Sequence, residues 1–238
     1  MGKQHKKPEF QISDESSDAV HISTFEITYE AILEPSFKRL PKRIKDRTEP
    51  LFYEIRKNPK ETIPELLNLI KKYPRVPTFY NYLSVAYNRM GDKKKEEEAV
   101  LLNMKKNPNY LFAKINYAQI LLNRKEYDKI PEIFNYKFDL KQLYPKRKVF
   151  HISEFSNFMG LIGVYFYEIG ERNSAEVYHK ILQEIAPKEP ASKMLKRKLH
   201  PGIFLRLINH FVSNLENKWK QMEENIEKLD EEFRNEKL

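Results

Sequence analysis

The stretch from Tyr80 to Pro108, YNYLSVAYNRMGDKKKEEEAVLLNMKKNP, constrains the fold more than any other part of the chain. Tyr80, Leu83, Ser84 and Tyr87 recur at the steps of one helix face. Gly91-Asp92 breaks that helix, and the pattern predicts a second one from about Lys94 to Lys106. Asn107-Pro108 ends it, because proline cannot continue a helix and pushes the preceding residue out of the helical region. The unit is a helical hairpin of roughly 34 residues, a length that calls for a search for repeats. The echoes are present. Pro74 closes the apolar run Ile63, Leu66, Leu67, Leu69, Ile70 one such length before Pro108. Gly170 stands as far from Pro187 as Gly91 does from Pro108.

These residues resemble the tetratricopeptide repeat (TPR) family over roughly residues 44–190. Its first helix carries a bulky residue, a leucine, a small residue and an aromatic; a glycine marks the turn and a proline the end. Tyr80, Leu83, Ser84, Tyr87, Gly91 and Pro108 follow that pattern. The next copy offers Ala118, Tyr127 and Phe134, and the last offers Gly163, Phe166, Gly170, Ala175 and Pro187. Glu96 departs from the pattern, standing where a small residue lets the two helices approach. Pro145 falls late, so an insertion is expected near 137–155. The resemblance implies an all-α fold, an α-solenoid of TPR-like helical hairpins.

Three regions are expected: a disordered tail over 1–24, the repeat domain over 25–190, and a basic linker helix with a heptad-patterned C-terminal helix over 191–238. Phe25 to Leu33 reads as a short helix capped by Thr24, or as an extended arm laid across the first repeat. The first hairpin, 44–74, has a weak first helix and a good second one, with Thr62 as its candidate cap and Pro64 in its first turn. The third hairpin runs from Leu111 to about Phe138, with Pro131 near the start of its second helix. Residues 139–153 read as a basic connector containing Lys146, Arg147 and Lys148. Two interior glycines in MGLIGVYFYEIG each cost about 1 kcal/mol of helix propensity, so close helix approach is expected there. From Leu205 to Phe233 the apolar residues hold a heptad register, which predicts a long C-terminal amphipathic helix. That helix forms either a coiled coil with a second chain, giving a homodimer through 205–233, or a cap on the last repeat. The bulk of Trp219 and Phe233 favours the cap.

Composition narrows the function classes. The chain has no cysteine, which leaves no disulfide framework or thiolate site and suits the cytoplasm. No apolar run is long enough to span a bilayer, and the start lacks the apolar core of a secretory signal. The six histidines show no metal-ligand spacing, and no phosphate-cradling or nucleophile motif occurs, so no catalytic residue, cofactor or metal is expected. The net charge of +9 can attract anionic partners. Lys38, Arg39, Lys42, Arg43, Lys45 and Arg47 are the densest basic run and a candidate patch for an anionic partner.

The resemblance also implies a concave groove lined by the first helices of successive hairpins. Its positions fall on Thr78, Asn81, Val85, Asn88 and Arg89, then on Phe112, Ile115, Gln119, Leu122 and Asn123. The last set is Asn157, Gly160, Val164, Tyr167 and Glu168. Mixed amides and apolar side chains suit a protein partner presenting an extended peptide or a helix. Some family members grip a C-terminal carboxylate, but only Asn116 matches that clamp here. The leading expectation is a non-enzymatic interaction scaffold. The alternative is a basic helical-repeat protein associated with RNA or DNA.

Overall fold

In the computed structural model the described residues are 25–202, together with Lys218 and Met222. They belong to two compact units, the first ending at Leu195. Within the first unit the architecture is an all-α solenoid of antiparallel helical hairpins. Two short strands are its only extended elements among the described residues.

The chain enters through β1 (Glu26–Thr28) and a single turn, α1 (Pro35–Lys38). The first hairpin is α2 (Lys42–Lys57) and α3 (Pro59–Lys72). Pro50 lies inside α2, but on its exposed side, while Leu51 and Ile55 anchor the buried side. Thr62 does not cap α3. It lies inside the helix, buried, and its hydroxyl donates to the Pro59 carbonyl at 2.8 Å. Pro59 already supplies the fixed backbone angle that starts the helix one turn earlier.

The second hairpin is α4 (Pro77–Arg89) and α5 (Lys93–Lys106). Gly91 takes φ +75°, a conformation that L side chains resist, and Asp92 caps α5 by accepting from the Lys95 amide at 3.1 Å. Phe79 and Tyr80 are fully buried, and the Tyr80 phenol donates to the Pro74 carbonyl at 2.9 Å. Glu96 has a definite role at the α4–α5 contact, because its carboxylate accepts from Asn88 at 2.7 Å and from Lys93 at 3.0 Å.

The third hairpin begins with α6 (Leu111–Asn123), but its second helix is short. A 3₁₀ turn (Tyr127–Lys129) leads into α7 (Ile130–Ile133), which stops at once. Asn135 and Tyr136 then adopt φ +51° and +57°. The chain beyond Phe134 turns away rather than filling out the helix expected to Phe138. Lys114, half-buried on α6, donates to the Ile133 carbonyl at 2.8 Å and so satisfies an orphan acceptor at the end of α7.

The connector between hairpins is therefore structured. It contains α8 (Leu140–Leu143), capped by Asp139, and β2 (Val149–His151). β1 pairs with β2 in parallel, Ile27 opposite Phe150. Phe25 packs edge-on against Phe150 at 5.2 Å and near Phe155 at 6.2 Å. The segment expected as a helix or an arm is thus extended, and its strand partner is the insertion rather than the first hairpin.

The fourth hairpin is α9 (Ile152–Glu168) and α10 (Arg172–Ile185), followed by α11 (Pro190–Leu199). With α7 so short, α6 packs directly on α9. The glycines of α9 face neighbours at close range. A Cβ at Gly160 would lie 2.7 Å from the Ala191 Cβ, and one at Gly163 would lie 2.5 Å from Leu195 Cδ2 and 3.1 Å from Tyr178 Cβ. Packing recovers what the glycines lose in helix propensity.

The tail at 1–24 and most of the heptad segment 205–233 lie outside the described residues. Within that segment Lys218 and Met222 are helical and exposed.

The α9 contact makes a prediction. Gly160→Ala should lower stability by about 1–3 kcal/mol through overpacking, although alanine is the better helix former. Thermal or urea unfolding measures it, and an unchanged or raised stability would contradict the close approach.

Candidate functional site

The helices α2, α4, α6 and α9 are the first members of their hairpins, and the expected groove residues fall on the last three. α4 and α6 are joined across this face, where Asn116 donates to the Asn81 side-chain oxygen at 2.7 Å. Gln119 donates to Asn123 at 3.0 Å along α6, and Asn157 donates back to the Ser153 carbonyl at 2.7 Å. Val85, Arg89, Asn123 and Asn157 are exposed; Asn81, Gln119 and Tyr167 are half-buried. Ile115 and Val164 are buried at 6% and 8% exposure, and Leu122 is buried as well. They sit on the two most apolar helices, which pack against each other, so these positions turn into the core. Gly160 is covered by Ala191. Asn88 points to Glu96, at the joint with α5.

Thr78 and Phe112 open onto a cleft of about 560 Å³ that sequence reasoning did not single out. One wall is the chain's own segment Ala31–Glu34, continuing from β1. The other wall comes from the N-terminal turns of α4, α6 and α9 and the flank of α2. Aromatic rings dominate it: Phe37, Phe52, Tyr82, Tyr110 and Phe112. Phe52 and Tyr82 approach at 5.5 Å between centroids, Tyr110 and Phe112 at 5.9 Å. On the far side of Ile32–Glu34 lies a second cleft of about 480 Å³, bounded by Leu143 to Arg147. The segment is therefore a partition between two clefts, with Ile32 and Leu33 at 40% and 45% exposure.

The polar anchor of this region is Arg147. Its guanidinium grips the Glu154 carboxylate with two hydrogen bonds, at 2.9 and 2.5 Å, and donates from Nε to the Val149 carbonyl at 2.9 Å. It also lies 4.4 Å over the Phe150 ring. Glu154 is buried and accepts from the His151 amide at 3.0 Å, while His151 Nδ1 accepts from the Ser153 amide. The two together form a capping box at the start of α9. An expected member of a basic connector is thus committed to a carboxylate. Arg47 behaves likewise: it bridges Glu54 and Glu65, the latter at 2.9 and 2.7 Å, and ties α2 to α3. Lys38, Arg39, Lys42 and Arg43 remain exposed, and Lys45 turns toward the aromatic cleft.

Glu34 is half-buried in the partition. Burial raises its carboxyl pKa above the ordinary 4.5; the Arg147 charge pulls it back and the Glu154 charge pushes it up further. Burial, then the Glu34 and Glu154 charges, also hold the Tyr110 phenol well above its usual range. The Tyr144 hydroxyl is buried and lacks a hydrogen-bond partner among the described residues. These groups were illegible beforehand because they meet from four separate stretches of chain. The usable signal was the tight clustering of Tyr110 and Phe112 at a helix start.

Glu34 makes a pH-dependent prediction. Its folded-state pKa lies above the unfolded value, so the fold favours the neutral acid. That contribution is complete below the unfolded pKa and is lost as pH rises through the folded one. Glu34→Gln stays neutral, so its stability relative to the natural chain should improve from pH 4 to pH 7 in urea unfolding. An equal effect at both pH values would contradict the burial of this carboxyl.

No family model and no curated protein matches the sequence. Among solved structures, the chain is similar to TTC0263, a thermophilic TPR protein of Thermus thermophilus. Identity there is 17% and the TM-score 0.47, over 68% of this chain and 87% of that one. It is also similar to the MamA RS-1 ArsTM double mutant, at 13% identity and TM-score 0.46, over 80% of this chain and 98% of that one. A MamA protein gives 17% identity and TM-score 0.39, over 70% and 84%.

Proposed function

We propose that this is a non-enzymatic interaction scaffold of TPR-like hairpins that binds an extended segment of a partner protein along the first helices of its hairpins. The observation that carries the reading is the chain's own behaviour. Residues 26–28 pair as a strand, and residues 31–34 then wall the cleft at the N-terminal ends of these helices. The surface is therefore suited to an extended backbone. The amides Asn81, Asn116, Gln119 and Asn123, further along α4 and α6, supply donors and acceptors for a peptide main chain, and Val85 and Phe112 supply apolar contact. A cytoplasmic location belongs to the same proposal and rests on the cysteine-free composition. Among the described residues no helix is long and apolar enough to cross a membrane.

Site-specific photocrosslinking tests the reading. A crosslinker at Val85 or Gln119 should capture protein segments, whereas one at Leu101, exposed on α5, should not. Equal capture from both faces would overturn it.

A second reading has one observation in its favour: Lys38 and Arg39 at the end of α1 and Lys42 and Arg43 at the start of α2 are all exposed. A nucleic acid bound there would release counterions, so affinity should fall steeply with salt. Salt titration of fluorescent RNA and duplex DNA checks this, and no binding at low salt would remove it.

A further inference from the structure

We propose that the aromatic cleft beside the Ala31–Glu34 partition receives the guanidinium of an arginine carried by the partner's extended segment. The inference rests on the peptide-binding reading above and assigns its chemistry.

Charge is the first argument. The protein carries +9 overall, yet carboxylates outnumber cations along this cleft: Glu34, Glu49 and Glu154 against Lys45. Glu154 is committed to Arg147. Glu34 and Glu49 form no ion pair among the described residues. Glu34 is half-buried, and its raised pKa records the cost of holding its charge there. An entering cation would offset that cost, whereas an anion would meet repulsion from both carboxylates.

The rings are the second argument. Phe52, Tyr82, Tyr110 and Phe112 line the same space as those carboxylates. Glu34 acts electrostatically on Tyr110, and Glu49 on Tyr82, so rings and carboxylates are near neighbours. A planar guanidinium stacks on rings and forks to carboxylates, and it sheds water more readily than an ammonium. The fold already uses that contact twice, with Arg56 4.4 Å over Phe52 and Arg147 4.4 Å over Phe150. Arg56 covers only one ring, which leaves Tyr82, Tyr110 and Phe112 for the incoming group.

The test uses the full chain, fluorescently labelled, on arrays of capped random heptapeptides whose central residue is fixed as Arg, Lys, Leu or Glu. The Arg pool should retain about tenfold more protein than the Leu pool, with Lys between them. The double variant Glu34→Gln with Glu49→Gln should lose most of that preference while keeping the binding of the Leu pool. Both substitutions are conservative, and thermal melting verifies that the variant is folded. Asn81→Ala with Gln119→Ala should weaken all pools alike and leave the ranking intact. Binding of all pools without an arginine preference would overturn the inference and leave the peptide reading standing. The same holds for a preference that survives loss of both carboxylates. No binding of any pool would overturn the peptide reading, and the inference with it.

Discussion

The ion pair between Arg147 and Glu154 decides where the first described stretch of the chain lies. Glu154 opens α9 and is buried, so its charge is tolerable only with a partner. Arg147 supplies it and at the same time holds the Val149 carbonyl, which sets the path of β2. Once β2 is placed, β1 can pair with it, and Phe25 can reach Phe150 and Phe155. The segment from Ala31 to Glu34 then falls beside the first helices of the hairpins. The aromatic cleft, its partition and the burial of Glu34 all descend from one guanidinium.

The third hairpin explains why such an anchor exists. In a solenoid each hairpin covers its apolar face with the next one. Here α7 ends after Ile133, and the chain leaves through two left-handed residues. The missing helix length is replaced by other means. Phe134 packs on Phe158 at 5.4 Å, Phe138 on Phe166 at 5.3 Å, and the Tyr178 phenol donates to the Phe138 carbonyl at 2.9 Å. The insertion thus closes the core and carries β2 to its place.

Much of the helical architecture was legible from residues close in sequence. The Tyr80–Pro108 hairpin, the turns at Gly91 and Gly170, the insertion near 137–155 and the close approach at Gly160 and Gly163 all follow from local pattern. Misread features involve competition between signals. Thr62 looked like a cap, but Pro59 starts the helix earlier. Arg47 and Arg147 looked like members of basic runs, but each found carboxylates that only folding brings near. Ile115 and Val164 looked like groove positions, but direct packing of α6 on α9 turned them inward. The cleft itself could not be read, because Glu34, Phe52, Tyr82, Tyr110 and Glu154 converge from distant parts of the chain.

The sequence by itself determined that paired helices recur, and where most of them begin and end, because capping, proline and periodicity act over a few residues. It also determined the charge, the absence of thiol chemistry and the amide-rich character of the first helices. Only the tertiary structure decided which charges stay exposed and which are consumed in pairs, since that depends on which elements meet. It alone turned residues 26–28 into a strand and made residues 31–34 one wall of a cleft. A three-residue strand has no stability of its own, and its conformation comes from the partner that the fold delivers to it.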